Sequence, residues 1–398
     1  MKIKMILTLT AVLLMIFVAM FARKTLAKQT EKVTYITNAR IFDGERVIEE
    51  QSVTIKGDKI FSVGGSMPDG AEVIDAKGCT LLPGLIDAHT HVDSTEHLEN
   101  ATKAGITTMF EMGNDTPELL NDLKNREGLT SIVASCYMAT AEPKLGNHAG
   151  SVVTGIDDAE RYVKEVTALG ADFIKIFIED PIPDPVTGKT PVVFTTEVLS
   201  AIVTAAHRFE RLTVAHVTTP QSYQTALDAG VDVLTHTPFE PLPKSILDTM
   251  AARRTLVIPT IVMMQGIESR IKTMNPAAPI DLQNVFTSVA RMHEAGITIL
   301  AGTDANDRSH SPCQFPHGAS LHHELEFYVR CGLTPVEVLQ SATSLPASTF
   351  GLSDRGRVET GCRADLLLVE GNPTADISAI RNIKKIWVKG HEMVPVYR

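Results

Sequence analysis

Aromatic side chains are scarce in this 398-residue chain: Phe, Tyr and Trp together make up 5%, with a single Trp. Proteins that hold single-stranded nucleic acid stack its bases on such rings, so a stacking platform is not expected. A basic surplus is missing too. Lys and Arg number 37 against 47 Asp and Glu, a formal charge of −10, and no basic stripe is left to neutralise phosphates. Nucleic acid is therefore set aside as a partner. Cysteine is sparse: Cys79, Cys136, Cys313, Cys331 and Cys362 lie far apart with no C-x-x-C pair, which excludes a disulfide scaffold. There is no low-complexity tract and no long run of one charge. What remains, 44% hydrophobic and 21% charged, is the composition of a globular protein with a large core.

One long apolar run stands apart. Met5 to Ala22 carry no charge, Lys2 and Lys4 precede them, and Arg23, Lys24 and Lys28 follow. A charged start before an apolar stretch reads as an export signal, with Thr25-Leu26-Ala27 as its cleavage site and residues 1–27 as the segment removed. The same 18 residues are also long enough for a membrane anchor. Both readings place the remainder outside the cytoplasm: periplasmic, secreted, or attached to the membrane through residues 5–22.

Residues 33–82 carry short alternating runs, Val33-Thr34-Tyr35-Ile36, Ser52-Val53-Thr54-Ile55, Lys59-Ile60-Phe61-Ser62-Val63 and Glu72-Val73-Ile74-Asp75. Glycines and Pro68-Asp69-Gly70 supply turns between them. The pattern resumes within 356–398, at Ala364 to Val369 and Lys385 to Gly390. Neither part builds a large core alone, so a small β-sandwich completed by both chain ends is expected. Residues 83–355 alternate instead. Strand candidates lie at 84–91, 105–113, 131–138, 172–178, 212–217, 231–237, 255–262 and 297–304. Helical periodicity fills 157–169, 196–209, 221–229 and 284–295, several helices ending in a glycine stop. Eight βα units predict an α/β fold, a (β/α)8 TIM barrel whose site lies at the C-terminal ends of the strands.

Polar residues sit where those strands end. Asp87-Ala88-His89-Thr90-His91 puts two imidazoles on one side of a strand, able to meet one metal ion. Lys175 lies within Phe173-Ile174-Lys175-Ile176-Phe177, pointing into a barrel where an unpaired ammonium is costly to bury. His216 and His236 end consecutive strands, and Gly302-Thr303-Asp304 closes the last. Four histidines, a lysine and an aspartate are the groups a two-metal hydrolytic site needs.

With Pro83-Gly84-Leu85-Ile86-Asp87 before the first histidine pair, the chain resembles the amidohydrolase superfamily over about residues 33–391. Asn38-Ala39-Arg40-Ile41-Phe42-Asp43-Gly44 and Gly361-Cys362-Arg363-Ala364-Asp365-Leu366 fit as well. His317-Gly318-Ala319-Ser320-Leu321-His322-His323 makes it most similar to the imidazolonepropionase-like and prolidase-like branch. The resemblance implies two divalent ions, zinc above all, held by His89, His91, Lys175, His216, His236 and Asp304. It implies Lys175 carboxylated by CO₂ to a bridging carbamate; the plain reading of the residue is a lysine paired with a carboxylate. It gives Asp304 a second role as general base to a hydroxide that exists near neutral pH because the ions lower the pKa of water. Deaminases of the superfamily carry a glutamate after the fifth-strand histidine; His216-Val217-Thr218-Thr219 has none, and deamination is disfavoured. Thr235 likewise stands where relatives often show Glu. His148 in the loop after the third strand, His317 and Tyr137 are candidates for substrate binding, whereas His97, His207, His293, His310 and His391 read as structural or solvent-facing.

The expected activity is hydrolysis of an amide in a dipeptide, an N-acyl amino acid or a cyclic amide. The same site can open esters, lactones or phosphotriesters. A barrel used only to bind is the reading from another class, and an intact ligand set argues against it. Oligomeric state is left open.

Overall fold

The computed structural model describes residues 32–113, 116–124, 126–143, 150–182, 190–309 and 311–395. The expected signal or anchor at 1–27 and the candidate His148 lie outside the described residues. Among the described residues no helix is long and apolar enough to cross a membrane.

Strands β1 (Val33–Phe42), β2 (Val47–Lys56), β3 (Lys59–Val63), β4 (Glu72–Asp75) and β5 (Cys79–Pro83) come first. Parallel strands then alternate with helices: β6 (Leu85–Thr90), α1 (Thr95–Lys103), β7 (Ile106–Glu111), α2 (Pro117–Leu123), β8 (Ser131–Ala134), the short β9 (Met138–Thr140) and β10 (Gly150–Val152), and α3 (Ile156–Ala168). The alternation continues through β11 (Ile174–Phe177), α4 (Thr196–Arg208), β12 (Thr213–His216), α5 (Pro220–Ala229), β13 (Val233–Thr235), α6 (Lys244–Arg253), β14 (Leu256–Ile258), α7 (Ile261–Met274) and α8 (Leu282–Glu294). Helices α9 (Ala319–Arg330), α10 (Pro335–Ser341) and α11 (Ser344–Thr349) lead to β15 (Leu366–Glu370), β16 (Ile383–Val388) and β17 (His391–Met393). Local chemistry sets these limits. In α5, Thr219 and Ser222 form a reciprocal capping box with Pro220 in the first turn, and Gly230 stops the helix at φ 86°.

Both chain ends do meet, but in one sheet. Its order is β17-β16-β15-β5-β1-β2-β3, with β4 on β1. The junction is β5, a strand absent from the expected set: it pairs in parallel with β1 and antiparallel with β15. The sheet also curls, because Ile60 N–H donates to Cys362 O and Gly361 N–H to Ile60 O. The expected sandwich is thus a single curled sheet around Ile36, Ile41, Val53, Ile55, Leu81, Leu366 and Trp387.

The central strands form two parallel sheets, β6-β7-β8 and β10-β9-β11-β12-β13-β14. Their edges are bridged on both sides. Asp172 N–H donates to Ala134 O, joining the segment before β11 to β8. On the other side, Leu300 N–H donates to Val257 O and Ala88 N–H to Ala301 O, so residues 298–305 run between β14 and β6. The expected eighth strand, 297–304, therefore carries isolated bridges in place of a continuous ladder. Two further expectations change. Residues 131–138 split at Cys136, whose φ is 58°, and the 255–262 strand stops at Ile258. Thr260 turns left-handed (φ 49°) and Ile261-Val262 open α7 instead. An inner apolar cluster takes Ile86, Phe110, Val133, Phe173, Val214, Val233, Ile258 and Leu300 from along these parallel segments.

Candidate metal centre

Because the strands are parallel, their C-terminal ends reach the same side of the molecule, and His89, His91, Lys175, His216, His236 and Asp304 all line one cavity of about 330 Å³. Backbone strain accompanies the arrangement. His236 and Asp304 adopt φ 75° and 61°, conformations that non-glycine residues hold only when the surroundings over-determine them. Close packing contributes: a Cβ on Gly302 would meet His89 N at 2.8 Å, so only glycine lets the 302–304 turn approach β6. There Asp304 N–H and Thr303 N–H both donate to His89 O.

The tightest group is His89, His91 and Asp304, whose ligand atoms all lie within 4.8 Å of one another. Asp304 Oδ1 is 3.4 Å from His89 Nε2 and 3.2 Å from His91 Nε2, yet it is buried without a hydrogen-bond partner, as is His89 Nδ1. A buried carboxylate oxygen unsatisfied between two imidazole nitrogens is costly to hold. A divalent cation resolves that cost, and N and O donors in this combination suit zinc and its neighbours. The residues present thus fit a metal. Burial, reinforced by Lys175 and the other imidazoles, keeps His89 well below the ordinary histidine value, so it offers a lone pair. Burial raises Asp304, but His91, His236 and Lys175 outweigh it and hold the carboxyl below its usual value.

His216 stacks on Phe177 with ring centroids 4.0 Å apart and lies 4.5 Å from the His236 ring. His236 is 5.0 Å from the His89 ring and bonds Thr260 Oγ1 through Nδ1 at 2.8 Å, leaving Nε2 as its free nitrogen. Burial brings His236 down to about 4. Lys175 is 2% exposed. Its Nζ donates to Thr235 Oγ1 at 3.3 Å, which gives the threonine in that unusual position a part in the site. Among the described residues no carboxylate forms an ion pair with Lys175. Burial brings its amine down to about 7 against the pull of Asp304 and Glu111.

Around these groups lies a polar shell that sequence reading passed over. Arg308 clamps Asp93 with two bonds, at 3.0 and 2.9 Å, and donates to Gly113 O and to His91 Nδ1 (3.1 Å). Glu111 is fully buried. Its Oε2 accepts from Gly113 N–H, while Oε1 lies 3.6 Å from His91 Nδ1 without a hydrogen-bond partner. Asp87 accepts from Thr303 Oγ1 and from the backbone N–H of His89 and Thr303, and burial pushes it up to about 7.

The substrate-binding candidates fare differently. His317 is buried, donates from Nε2 to His91 O at 2.9 Å and stacks on His97 at 4.0 Å; burial lowers it to about 3. It braces His91 from behind and does not line the cavity. Tyr137 packs half-buried against the core and is also off the cavity wall. His322 bonds Ala104 O through Nε2 and is off the cavity wall as well.

A profile of the Amidohydrolase family matches residues 80–393. The imidazolonepropionase of Streptomyces griseus subsp. griseus is 26% identical over 381 residues, covering 87% of this chain and 93% of that protein. Among solved structures, a Xaa-Pro dipeptidase with bound methionine in the active site superposes with a TM-score of 0.76 at 26% identity, over 91% of this chain and all of that one. Phenylurea hydrolase B superposes with a TM-score of 0.75 at 21% identity, over 91% and 97%.

Proposed function

The chain belongs to the amidohydrolase family and is a hydrolase of carbon–nitrogen bonds; from that premise we propose that it cleaves an amide in a small substrate, a dipeptide, an N-acyl amino acid or a cyclic amide, on a (β/α)8 barrel. The observation that carries this is Asp304 Oδ1, buried and unpartnered between His89 Nε2 and His91 Nε2. The likeness to a dipeptidase supports the substrate class. We further propose that residues 5–22 direct the enzyme out of the cytoplasm, which cell fractionation tests.

His89, His91 and Asp304 would hold one divalent ion, zinc by preference, and His216 and His236 a second, with Lys175 between them as a carbamate. Such ions polarise the scissile carbonyl and lower the pKa of water. The chain supplies the rest. The Asp304 carboxylate accepts the proton of the attacking water and returns it to the leaving nitrogen as the C–N bond breaks, giving acid and amine. The positive φ at Asp304 and the Gly302 contact hold that carboxylate in place. At Lys175 a neutral amine attacks CO₂, the N–C bond forms and the amine proton leaves. The missing acid after His216 leaves deamination without its proton carrier.

Elemental analysis of protein loaded with metal in the presence of bicarbonate is expected to find about two ions per chain, and a dipeptide and N-acyl amino acid library is expected to contain substrates. A folded protein that takes up no divalent ion refutes the reading in favour of a binding module. Lys175→Ala is expected to lose metal and activity and to regain part of both with millimolar acetate, a carboxylate that fills the same space. An active alanine variant, or rescue by a small amine, defeats the carbamate.

A further inference from the structure

The cavity has a second wall of a different kind, and we infer from it that the substrate presents a neutral apolar group, a branched aliphatic chain or one aromatic ring, on one side of the scissile bond. This inference rests on the amide-hydrolase reading. Met112, Met138, Met263 and Met264 line the cavity together with Ile267 and Phe177. Four of the chain's 14 methionines therefore converge on the one space that holds the candidate ligands.

They reach it from separate elements. Met112 follows β7, Met138 opens β9, and Met263 and Met264 lie in the first turn of α7. Each is 3% exposed or less, so the wall is built and not a surface accident. Met138 is pressed into place against Gly113, where a Cβ would meet its Cε at 2.7 Å. The α7 pair is fixed from below, because buried Glu324 accepts the N–H groups of Ile261 and Val262 at 2.8 Å each.

Thioethers are soft, adaptable and favourable beside aromatic rings, but they are weak acceptors and offer no donor. A hydroxyl, ammonium or carboxylate pressed against them would lose its hydration without replacement. A substrate carboxylate gains little from Arg308 either, since that guanidinium already carries Asp93 on Nε and Nη2 and Gly113 O and His91 on Nη1. Size sets a further limit. A volume of about 330 Å³ lies at the small end for ligand sites, so the apolar group beside the scissile amide is of modest size, a ring or a branched chain. Flexible methionines then tolerate several shapes of that size.

Two series test this on the full chain loaded with zinc. One varies the acyl side of a primary amide: phenylacetamide, isovaleramide, glycolamide and malonamate. The other varies the amine side of an acetamide: N-benzyl, N-isobutyl, N-(2-hydroxyethyl) and N-carboxymethyl. In at least one series the benzyl and isobutyl members are expected to exceed the hydroxyl and carboxylate members by about tenfold or more in kcat/KM, the scale of discrimination an apolar pocket achieves. Turnover with equal or better use of polar members in both series overturns the inference and leaves amide hydrolysis standing. If metal is bound and no member is cleaved, amide hydrolysis fails, and calorimetric binding decides the wall separately. Phenylacetamide is then expected to bind about tenfold more tightly than glycolamide, and equal binding overturns the inference. Met263→Gln and Met264→Gln, matched to the parent by circular dichroism, are expected to shrink the apolar-to-polar ratio through KM. An unchanged ratio overturns the assignment of this wall.

Discussion

Asp304 combines two demands at one carboxylate, and a single atom change separates them. Asp304→Asn keeps the shape and loses the proton acceptor, so kcat is expected to fall by about 10²–10⁴-fold while metal content falls only in part. A variant retaining more than about a tenth of wild-type kcat would show that the proton moves elsewhere. His91 poses a subtler question. Arg308 has only donors to offer, so its bond to Nδ1 and a ring proton at Nδ1 exclude one another. Coordination through Nε2 requires that proton on Nδ1, where Glu111 Oε1 is the orphaned acceptor at 3.6 Å. Partners of this kind set ligand tautomer and basicity. Glu111→Gln is therefore expected to weaken metal binding by about 10–100-fold, read by calorimetric titration with zinc; an unchanged affinity would remove Glu111 from this role. The ligands were legible because histidine, lysine and aspartate at the ends of apolar runs are unusual residues in unusual places. Glu111, Asp93 and Arg308 were not, being common charged residues whose meaning lies in contacts up to 217 positions apart along the chain.

At the scale of elements, α7 shows where sequence reading failed. Leu256-Val257-Ile258-Pro259-Thr260-Ile261-Val262 is rich in β-branched residues, and its second half looks like strand. A left-handed Thr260 and the buried Glu324 carboxyl turn it into the start of a helix, and neither leaves a local signal. Glu324 belongs to α9, some sixty positions away. Burial pushes its carboxyl up to about 8 from an ordinary value near 4.5, outweighing the two N–H donors, with Tyr328 and Asp87 as neighbours. The native state then holds a proton that the unfolded chain has released between those values. The contribution of Glu324 to stability is thus complete below about pH 4.5 and declines as pH rises toward 8, by at most about 1.4 kcal/mol per pH unit. Glu324→Gln leaves one backbone N–H without an acceptor, costing about 1–3 kcal/mol, but does not titrate. The Tm gap between wild type and variant is expected to narrow from pH 5 to pH 8. Parallel curves would show that the carboxyl keeps one charge state throughout.

Over the whole molecule, the alternation of strands and helices, the glycine stop after α5 and the joining of both chain ends were legible because each follows from hydrophobic period and turn chemistry. That the ends join through β5, with a shared sheet in place of two layers, was not, since Cys79-Thr80-Leu81-Leu82-Pro83 reads as the lead-in to the next strand. Its edge bonds go to β15, from Leu366 against Pro83 to Glu370 against Cys79. Removing residues 366–395 is expected to leave β5 with an open edge, a template for pairing between chains. Sedimentation of the truncated protein should show higher-order species, and a stable monomer of unchanged Tm would contradict this.

The same pairing imposes an order in time. β5 is made early and its partner β15 nearly three hundred residues later, so this edge has the costly long-range closure that slows folding. β1 finds β2, β4 and β5 close by in sequence, whereas β5 waits with one edge open. A chain that lacks β15 therefore cannot close this edge, however well its first strands pair with one another.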